Sequence, residues 1–135
     1  MNISVSFPGG KRVDAHLGDR TIQTDQSLAH GGDGSAPEPF ELFLASLATC
    51  AGIYVLGFCQ ARQIPTDGVR VEQRAIYDET GKVLTDVVID VHLPPSFPEK
   101  YRAAVVAAAS NCRVKKVIAS QPRFEVKAVF AQAAA

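Results

Sequence analysis

The feature that most constrains this chain is the stretch ELFLASLATCAGIYVLGFC at residues 41–59, which carries no charge after Glu41. Its length is close to the roughly 18 to 20 apolar residues that cross a membrane. It also contains Gly52 and Gly57, and no basic cluster flanks it to set an orientation. We therefore expect a buried helix and no membrane partner. Because a helix that is apolar on every face must be covered on every face, we expect a homodimer.

The composition is that of an ordinary globular domain, and we expect one domain over residues 1–135. Lys plus Arg and Asp plus Glu both number 14, so the net charge is zero and there is no excess of positive charge that would indicate nucleic-acid binding. The first residues, MNISVSFPGG, lack the features of a secretory signal, and three cysteines in such a chain favour a reducing, cytoplasmic location. The three histidines are scattered and there is no CxxC pair, so no metal or other cofactor is expected.

Alternation of apolar and polar residues predicts most of the strands, and turn residues separate them. The predicted strands cover residues 3–7, 12–17, 20–25, 69–77, 83–93 and 123–130. Helices are predicted from about residues 37–39 to 62, over 99–110 and over 112–119. The strands come in hairpins and do not alternate with helices, so the expected class is α+β, with a sheet packed on the long helix. The alanine-rich end is expected to fray.

The three cysteines have different surroundings. Cys50 lies in the middle of the long helix among small residues, and taken alone it is most simply an inert buried thiol. Cys59 follows nine residues later, on the opposite helix face, and is assigned to packing. Cys112 lies in SNCRVKK, where a helix start and nearby cations favour a thiolate. Cys112 is otherwise a structural cysteine at a helix junction, and its spacing from Cys50 does not establish contact between the two.

Two segments together resemble the OsmC/Ohr family of thiol peroxidases. They are GGDGSAPEPFELFLASLATCAG at residues 31–52 and NCRVKKVIASQPRFEV at residues 111–126. The resemblance implies an intertwined α+β homodimer without a cofactor. It also implies that Cys50 attacks an organic hydroperoxide and becomes a sulfenic acid, which Cys112 resolves to a disulfide. A dithiol, such as a dihydrolipoyl group, is the implied reductant.

The resemblance further implies charged partners for Cys50. Burial raises the pKa of a thiol, so a reactive Cys50 needs a cation brought in from elsewhere. Members of the family use an arginine from the N-terminal strands, held by a glutamate on the long helix. Arg12 and Arg20 are the candidates here, and each is otherwise a solvated strand charge. The glutamate position of the best-known members, ten residues before the cysteine, holds Phe40; Glu41, one residue later, is either that glutamate or a charge that favours the helix dipole.

Three functions remain open at this point. The first is a cytoplasmic, homodimeric peroxidase that reduces organic hydroperoxides in an apolar pocket. The second is a general thiol–disulfide redox protein that uses the same cysteine pair. The third is a non-catalytic dimeric module that binds an apolar ligand, in which the cysteines are incidental. His30 and Asp33, in the glycine-rich loop, either border the pocket or are solvated loop residues.

Overall fold

In the computed structural model, residues 1–130 are described, and they form five strands and three α-helices. The strands are β1 (Ser4–Gly9), β2 (Arg12–Leu17), β3 (Arg20–Ile22), β4 (Arg70–Tyr77) and β5 (Leu84–His92). The helices are α1 (Pro39–Ala61), α2 (Arg102–Ser110) and α3 (Arg113–Ala119), with 3₁₀ turns at Leu28–His30 and Glu99–Tyr101. The α+β class and both hairpins are confirmed. The predicted helix over 99–110 is a 3₁₀ turn followed by α2.

The strands form two sheets, so the prediction of one sheet is wrong for the described residues. The first sheet has the order β1-β2-β3, and its β1–β2 turn uses Gly9 and Gly10 at positive φ. The second is the β4–β5 hairpin, which is antiparallel from the pair Arg70–His92 to the pair Tyr77–Leu84. Alternation within a segment predicts a strand, but it does not specify which strands share hydrogen bonds, because that depends on contacts distant in sequence.

The loop between β3 and α1 is held by a buried carboxylate. Asp25 is fully buried and accepts hydrogen bonds from the hydroxyl and the backbone N–H of Ser35, at 2.7 and 3.0 Å, and from the N–H of Gln26 at 2.7 Å. These bonds favour the charged carboxylate, and they lower the pKa of Asp25 from 3.8 to about 2. The predicted third strand therefore ends at Ile22 and not at Asp25, because Asp25 bonds to the loop and not to a neighbouring strand.

Helix α1 begins with a capping box and buries one narrow stripe. The N–H of the N-cap residue Glu38 donates to the Glu41 carboxylate at 2.8 Å, and Pro39 takes the first helical position, where its missing N–H costs nothing. The buried residues recur every four positions. They are Leu47, Ala51, Val55 and Cys59. The helix is long and apolar enough to cross a membrane, and only 28% of its most apolar window is buried, so much of its surface is uncovered in the single chain.

The hydrophobic core lies between α1, α2 and the inner face of the β4–β5 hairpin. Val105 and Ala109 of α2 pack against the buried stripe of α1, and Phe97, just before α2, is 3% exposed. Apolar residues of the hairpin, including Val71, Ile89 and Val91, cover the other side of the cluster. This packing fixes the end of α2 beside the middle of α1, and so it sets where Cys112, two residues after Ser110, can lie.

The predicted closing strand over residues 123–130 is absent from the described structure of the single chain. Its apolar side chains are solvent-exposed, with Phe124 at 87% and Val126 at 97%. A strand requires a neighbouring edge to satisfy its backbone, and none is paired with this segment here. The frayed alanine-rich tail that the sequence predicts lies outside the described residues.

Candidate functional site

The side chain of Cys112 lies close enough to Cys50 to lower the pKa of the Cys50 thiol, although the two residues lie on different elements. Cys50 is on α1 and is half-buried, whereas Cys112 is the N-cap of α3 and is fully buried. The Cys112 thiol donates to the Cys50 sulfur, and neither cysteine is in a disulfide. The structure therefore brings the candidate reactive pair together in its reduced form.

The first turn of α3 makes Cys50 more acidic than an ordinary thiol. The backbone N–H of Val114 donates to the Cys50 sulfur and is the largest cause of the lowered pKa. Burial of the thiol raises the pKa, but it is outweighed by this bond together with those from Cys112 and the N–H of Arg113. The sequence predicts a cation for this purpose, and the structure adds backbone N–H groups that lower the pKa of Cys50 more than the charge of Lys115 does.

Lys115 is the cation that acts on Cys50, and it also lines an apolar cavity. Its positive charge lowers the pKa of the Cys50 thiol. The cavity, of about 430 Å³, lies between α1, β5, α2 and α3, and its wall is almost entirely aliphatic and aromatic. Neither cysteine is part of that wall, but Leu47 and Ala109 are, and each lies three residues before one of the two cysteines. Lys115 belongs to the wall and acts on Cys50, so the cavity lies near the thiol pair.

The two candidate arginines are placed on the first sheet. Arg12 begins β2, and its guanidinium lies 3.1 Å from the carboxylate of Asp14, two residues along the same strand. Arg20 begins the short strand β3, and it is exposed. The charged group among the main causes of the lowered pKa of Cys50 is Lys115.

Glu41 is placed in the first turn of α1, where it completes the capping box. Nine residues of α-helix make two and a half turns, so Glu41 and Cys50 face opposite sides of α1 and lie about 13 Å apart along its axis. Phe40, one residue earlier, is 47% exposed and stacks on Phe43 with ring centroids 5.6 Å apart. The helix-terminal interpretation of Glu41 is the one that its contacts support.

The remaining candidate residues serve the local structure. Cys59 is fully buried and its pKa is raised by that burial, so its assignment to packing is confirmed. His30 lies 2.8 Å from the carboxylate of Glu38 and helps to fix the loop before α1. His30 and Asp33 are not part of the cavity wall. Within residues 1–130, no group of three or more His, Cys, Asp or Glu side chains is placed to hold a metal ion.

Sequence reasoning missed the part played by the backbone of α3. The segment SNCRVKK predicts a helix start with cations that act on Cys112, whereas in the structure the N–H groups of the same turn act on Cys50 and lower its pKa. The signal was present in the cluster of Arg113, Lys115 and Lys116 directly after a cysteine. Its target was not predictable, because it depends on how α2 packs against α1.

Comparison with solved structures gives the same fold. A protein from Psychrobacter arcticus 273-4, provisionally described as an osmotic stress induced and detoxification response protein, is 24% identical, with a TM-score of 0.70 over 86% of both chains. A Legionella pneumophila protein is described as an organic hydroperoxide resistance protein OsmC, a predicted redox protein and regulator of sulfide bond formation. It is 17% identical, with a TM-score of 0.55 over 87% of both chains.

An OsmC-like protein of unknown function from Vibrio cholerae is 15% identical, with a TM-score of 0.62 over 85% of this chain and 90% of that one. No curated protein sequence is significantly similar to the chain. The family model for OsmC-like protein matches residues 32–127, which hold both cysteines of the contact described above. The chain therefore belongs to the OsmC-like family.

Proposed function

We propose that the protein is a thiol peroxidase that reduces organic hydroperoxides, with Cys50 as the attacking thiolate and Cys112 as the resolving thiol. The observation that carries the proposal is the contact between these two side chains, which are distant in sequence and meet beside an apolar cavity. Family membership supports a thiol-based redox role in general. The lowered pKa of Cys50 supports its choice as the nucleophile, because the thiolate is the reactive form.

The proposed reaction has two steps in the protein and a third with a reductant. The Cys50 thiolate attacks the terminal oxygen of the hydroperoxide, the O–O bond breaks, and the alkoxide takes a proton and leaves as an alcohol. The Cys112 thiol then condenses with the Cys50 sulfenic acid, which gives a disulfide and water. A dithiol donates two electrons to restore both thiols and becomes a cyclic disulfide.

The cavity supports an apolar organic group on the peroxide. Burial of a hydrocarbon group against its aliphatic wall is favourable, because apolar surface is removed from water. Hydrogen peroxide has no hydrocarbon group, so its binding has no such contribution. A volume of about 430 Å³ is within the usual range for a small-molecule site.

We also propose that the working form is a homodimer. Five large apolar side chains of α1 are exposed in the single chain, among them Ile53 at 60% and Tyr54 and Leu56 at 37% each. The exposed segment 123–130 alternates apolar and polar residues but has no strand partner in the described chain. A second copy would cover the helix and offer a sheet edge to this segment, which satisfies both needs at once.

General thiol–disulfide exchange by the same pair is the second candidate. The placement of Arg12 favours it, because in the described chain that guanidinium is paired with the Asp14 carboxylate. Exchange with a disulfide needs an accessible thiolate and a resolving thiol, and no further cation.

The deciding experiment is a thiol titration of the reduced protein before and after one equivalent of cumene hydroperoxide. The peroxidase should lose two thiols per chain and keep Cys59 free. Cys50→Ser should abolish peroxide consumption, and Cys59→Ser, the matched control, should retain the parental rate. Parental consumption by Cys50→Ser would exclude the peroxidase. Rapid exchange with a disulfide reagent, combined with slow peroxide consumption, would select general thiol–disulfide exchange. Thiols that react with neither reagent would support the third function, a non-catalytic module that binds an apolar ligand.

A further inference from the structure

Helix α3 carries an unbalanced group of positive charges beside the thiol pair. Its seven residues include Arg113, Lys115 and Lys116 and no acidic residue. Within residues 1–130, none of the three lies within 4.0 Å of a carboxylate oxygen, unlike Arg12, Arg74 and Arg102, which all form ion pairs. Residues 112–130 hold five of the 14 Lys and Arg residues and only one of the 14 acidic residues of the chain.

This placement is locally unfavourable. Positive side chains near the start of a helix oppose its dipole, and three cations within four residues also repel one another. Local choices that lower stability without a nearby compensating partner concentrate at functional sites. The cluster directly follows Cys112, and one of its members, Lys115, acts on Cys50, so an interaction partner of opposite charge at the thiol pair would account for it.

The cations are positioned to act on a molecule that approaches the sulfur atoms. Arg113 follows the buried Cys112 directly and its side chain is exposed, as is that of Lys116 one turn later. Lys115 is half-buried and faces the cavity next to Cys50. An apolar hydroperoxide without charge gains little from them, whereas a reductant that reacts as a thiolate and carries a further negative group is attracted by all three.

We propose that Arg113, Lys115 and Lys116 make the oxidised site selective for a dithiol reductant that carries negative charge of its own. The inference rests on the proposed function, because it concerns reduction of the Cys50–Cys112 disulfide. In that step a reductant thiolate attacks one sulfur of the disulfide and forms a mixed disulfide. This attack releases the other cysteine as a thiolate, which takes a proton. The second thiol of the reductant then loses its proton, attacks the mixed disulfide and releases the remaining cysteine, which leaves the reductant as a cyclic disulfide oxidised by two electrons.

The test compares two reductants with the same dithiol. Dihydrolipoic acid carries a carboxylate and dihydrolipoamide replaces it with a neutral amide. The full-length protein is oxidised with diamide, so that formation of the disulfide does not depend on peroxide turnover, and reduction is followed in stopped flow at low ionic strength. We expect the carboxylate form to react at least about threefold faster, and this ratio to fall toward one in 0.5 M salt, because screening removes electrostatic steering.

Variants assign the effect to the cluster. Lys116→Glu should lower the ratio of the two rate constants, and Arg113→Glu/Lys116→Glu should lower it further, to one or below. Lys100→Glu makes the same charge change before α2, at the end remote from Cys112, and should leave the ratio at the parental value. Equal rates for the two reductants in the parent, or a ratio that Arg113→Glu/Lys116→Glu does not change, would overturn the proposal.

This experiment also separates the inference from the proposed function. A disulfide that forms with diamide and is reduced selectively, in a protein that does not consume peroxide, would refute the peroxidase and leave the charge selectivity intact. Failure of diamide to join Cys50 and Cys112 would refute the resolving role of Cys112 and the present inference together.

Discussion

The backbone N–H of Val114 donates a hydrogen bond to the sulfur of Cys50, and so joins the first turn of α3 to the middle of α1. This bond is the main reason why a half-buried thiol in an apolar helix has a lowered pKa. Because the donor is a backbone group, proline is the one substitution at position 114 that removes it directly. The acidity of Cys50 therefore depends on the packing of α3 as a whole.

The first prediction concerns the pH dependence of alkylation. The rate at Cys50 should rise through a midpoint below the usual thiol value of about 8.5, because hydrogen bonds to its sulfur favour the thiolate. Cys59 should stay unmodified over the same range in the folded protein, because it is fully buried and its pKa is raised. Iodoacetamide labelling from pH 6 to 9, with the labelled peptides identified by mass spectrometry, measures both. Labelling of Cys59 in the folded protein with the same pH midpoint as Cys50 would contradict this account.

The second prediction concerns Lys115. Lys115→Met should move the Cys50 midpoint to higher pH, because it removes a positive charge that favours the thiolate, and Lys115→Arg should preserve it. Thiolate absorbance at 240 nm during a pH titration provides the measurement. Lys116→Met is the matched control, since it removes the same charge from the neighbouring residue and should shift the midpoint less. A larger shift in the control would assign the effect to α3 in general and not to Lys115.

Local patterns in the sequence were sufficient to predict most helices and strands, but not how these elements pack together. Alternation placed β4 and β5 to within one residue at each end, and Pro39 marked the start of α1, because both signals are local. The contact of Cys50 with Cys112 followed only from the resemblance to a family. It depends on the packing of α2 against α1, which no short window of sequence encodes.

The C-terminal segment shows that a local pattern can predict a strand that the single chain does not form. Residues 123–130 have the alternation of a strand, yet they have no strand partner in the described single chain. A strand is stable only when its backbone N–H and C=O groups pair with a neighbouring strand. A segment with the sequence pattern of a strand therefore does not form one when no neighbouring strand is available. The same limit applies to the charged residues. Arg12 is a candidate from its place in the chain, but the sequence does not predict its ion pair with Asp14, whose carboxylate lies 3.1 Å away.

The third prediction tests the core. Val105 is fully buried between α1 and α2, whereas the adjacent Val106 is 49% exposed. Val105→Ala should lower the free energy of unfolding by about 2 kcal/mol, from the lost burial of two carbon atoms and the cavity left behind. Val106→Ala removes the same atoms and should cost about 0.5 kcal/mol or less. Urea denaturation followed by circular dichroism measures both, and similar costs for the two variants would place the core elsewhere.

The fourth prediction concerns Asp25 and acid stability. The folded-state pKa of about 2 lies below the ordinary value of 3.8, so the charged carboxylate stabilises the fold. That contribution should be complete above the ordinary pKa and should decline as the pH falls through 3.8 toward about 2. Asp25→Asn should therefore melt at a lower temperature than the parent at pH 7, and the difference in Tm should narrow at pH 3. A difference that is constant with pH would show that the charge of Asp25 is not the stabilising feature.

The fifth prediction concerns the proposed dimer. Val126 is 97% exposed and lies on the apolar side of the segment 123–130, whereas Lys127 lies on its polar side. Val126→Asp should convert the dimer to a monomer, because a buried carboxylate without a partner is costly at an interface that a second copy covers. Lys127→Asp introduces the same side chain on the polar face and should leave the dimer largely intact. Size-exclusion chromatography with light scattering, in the absence of detergent, measures the mass of each variant. A parent that is monomeric at micromolar concentration would refute the proposal that a second copy covers α1 and this segment.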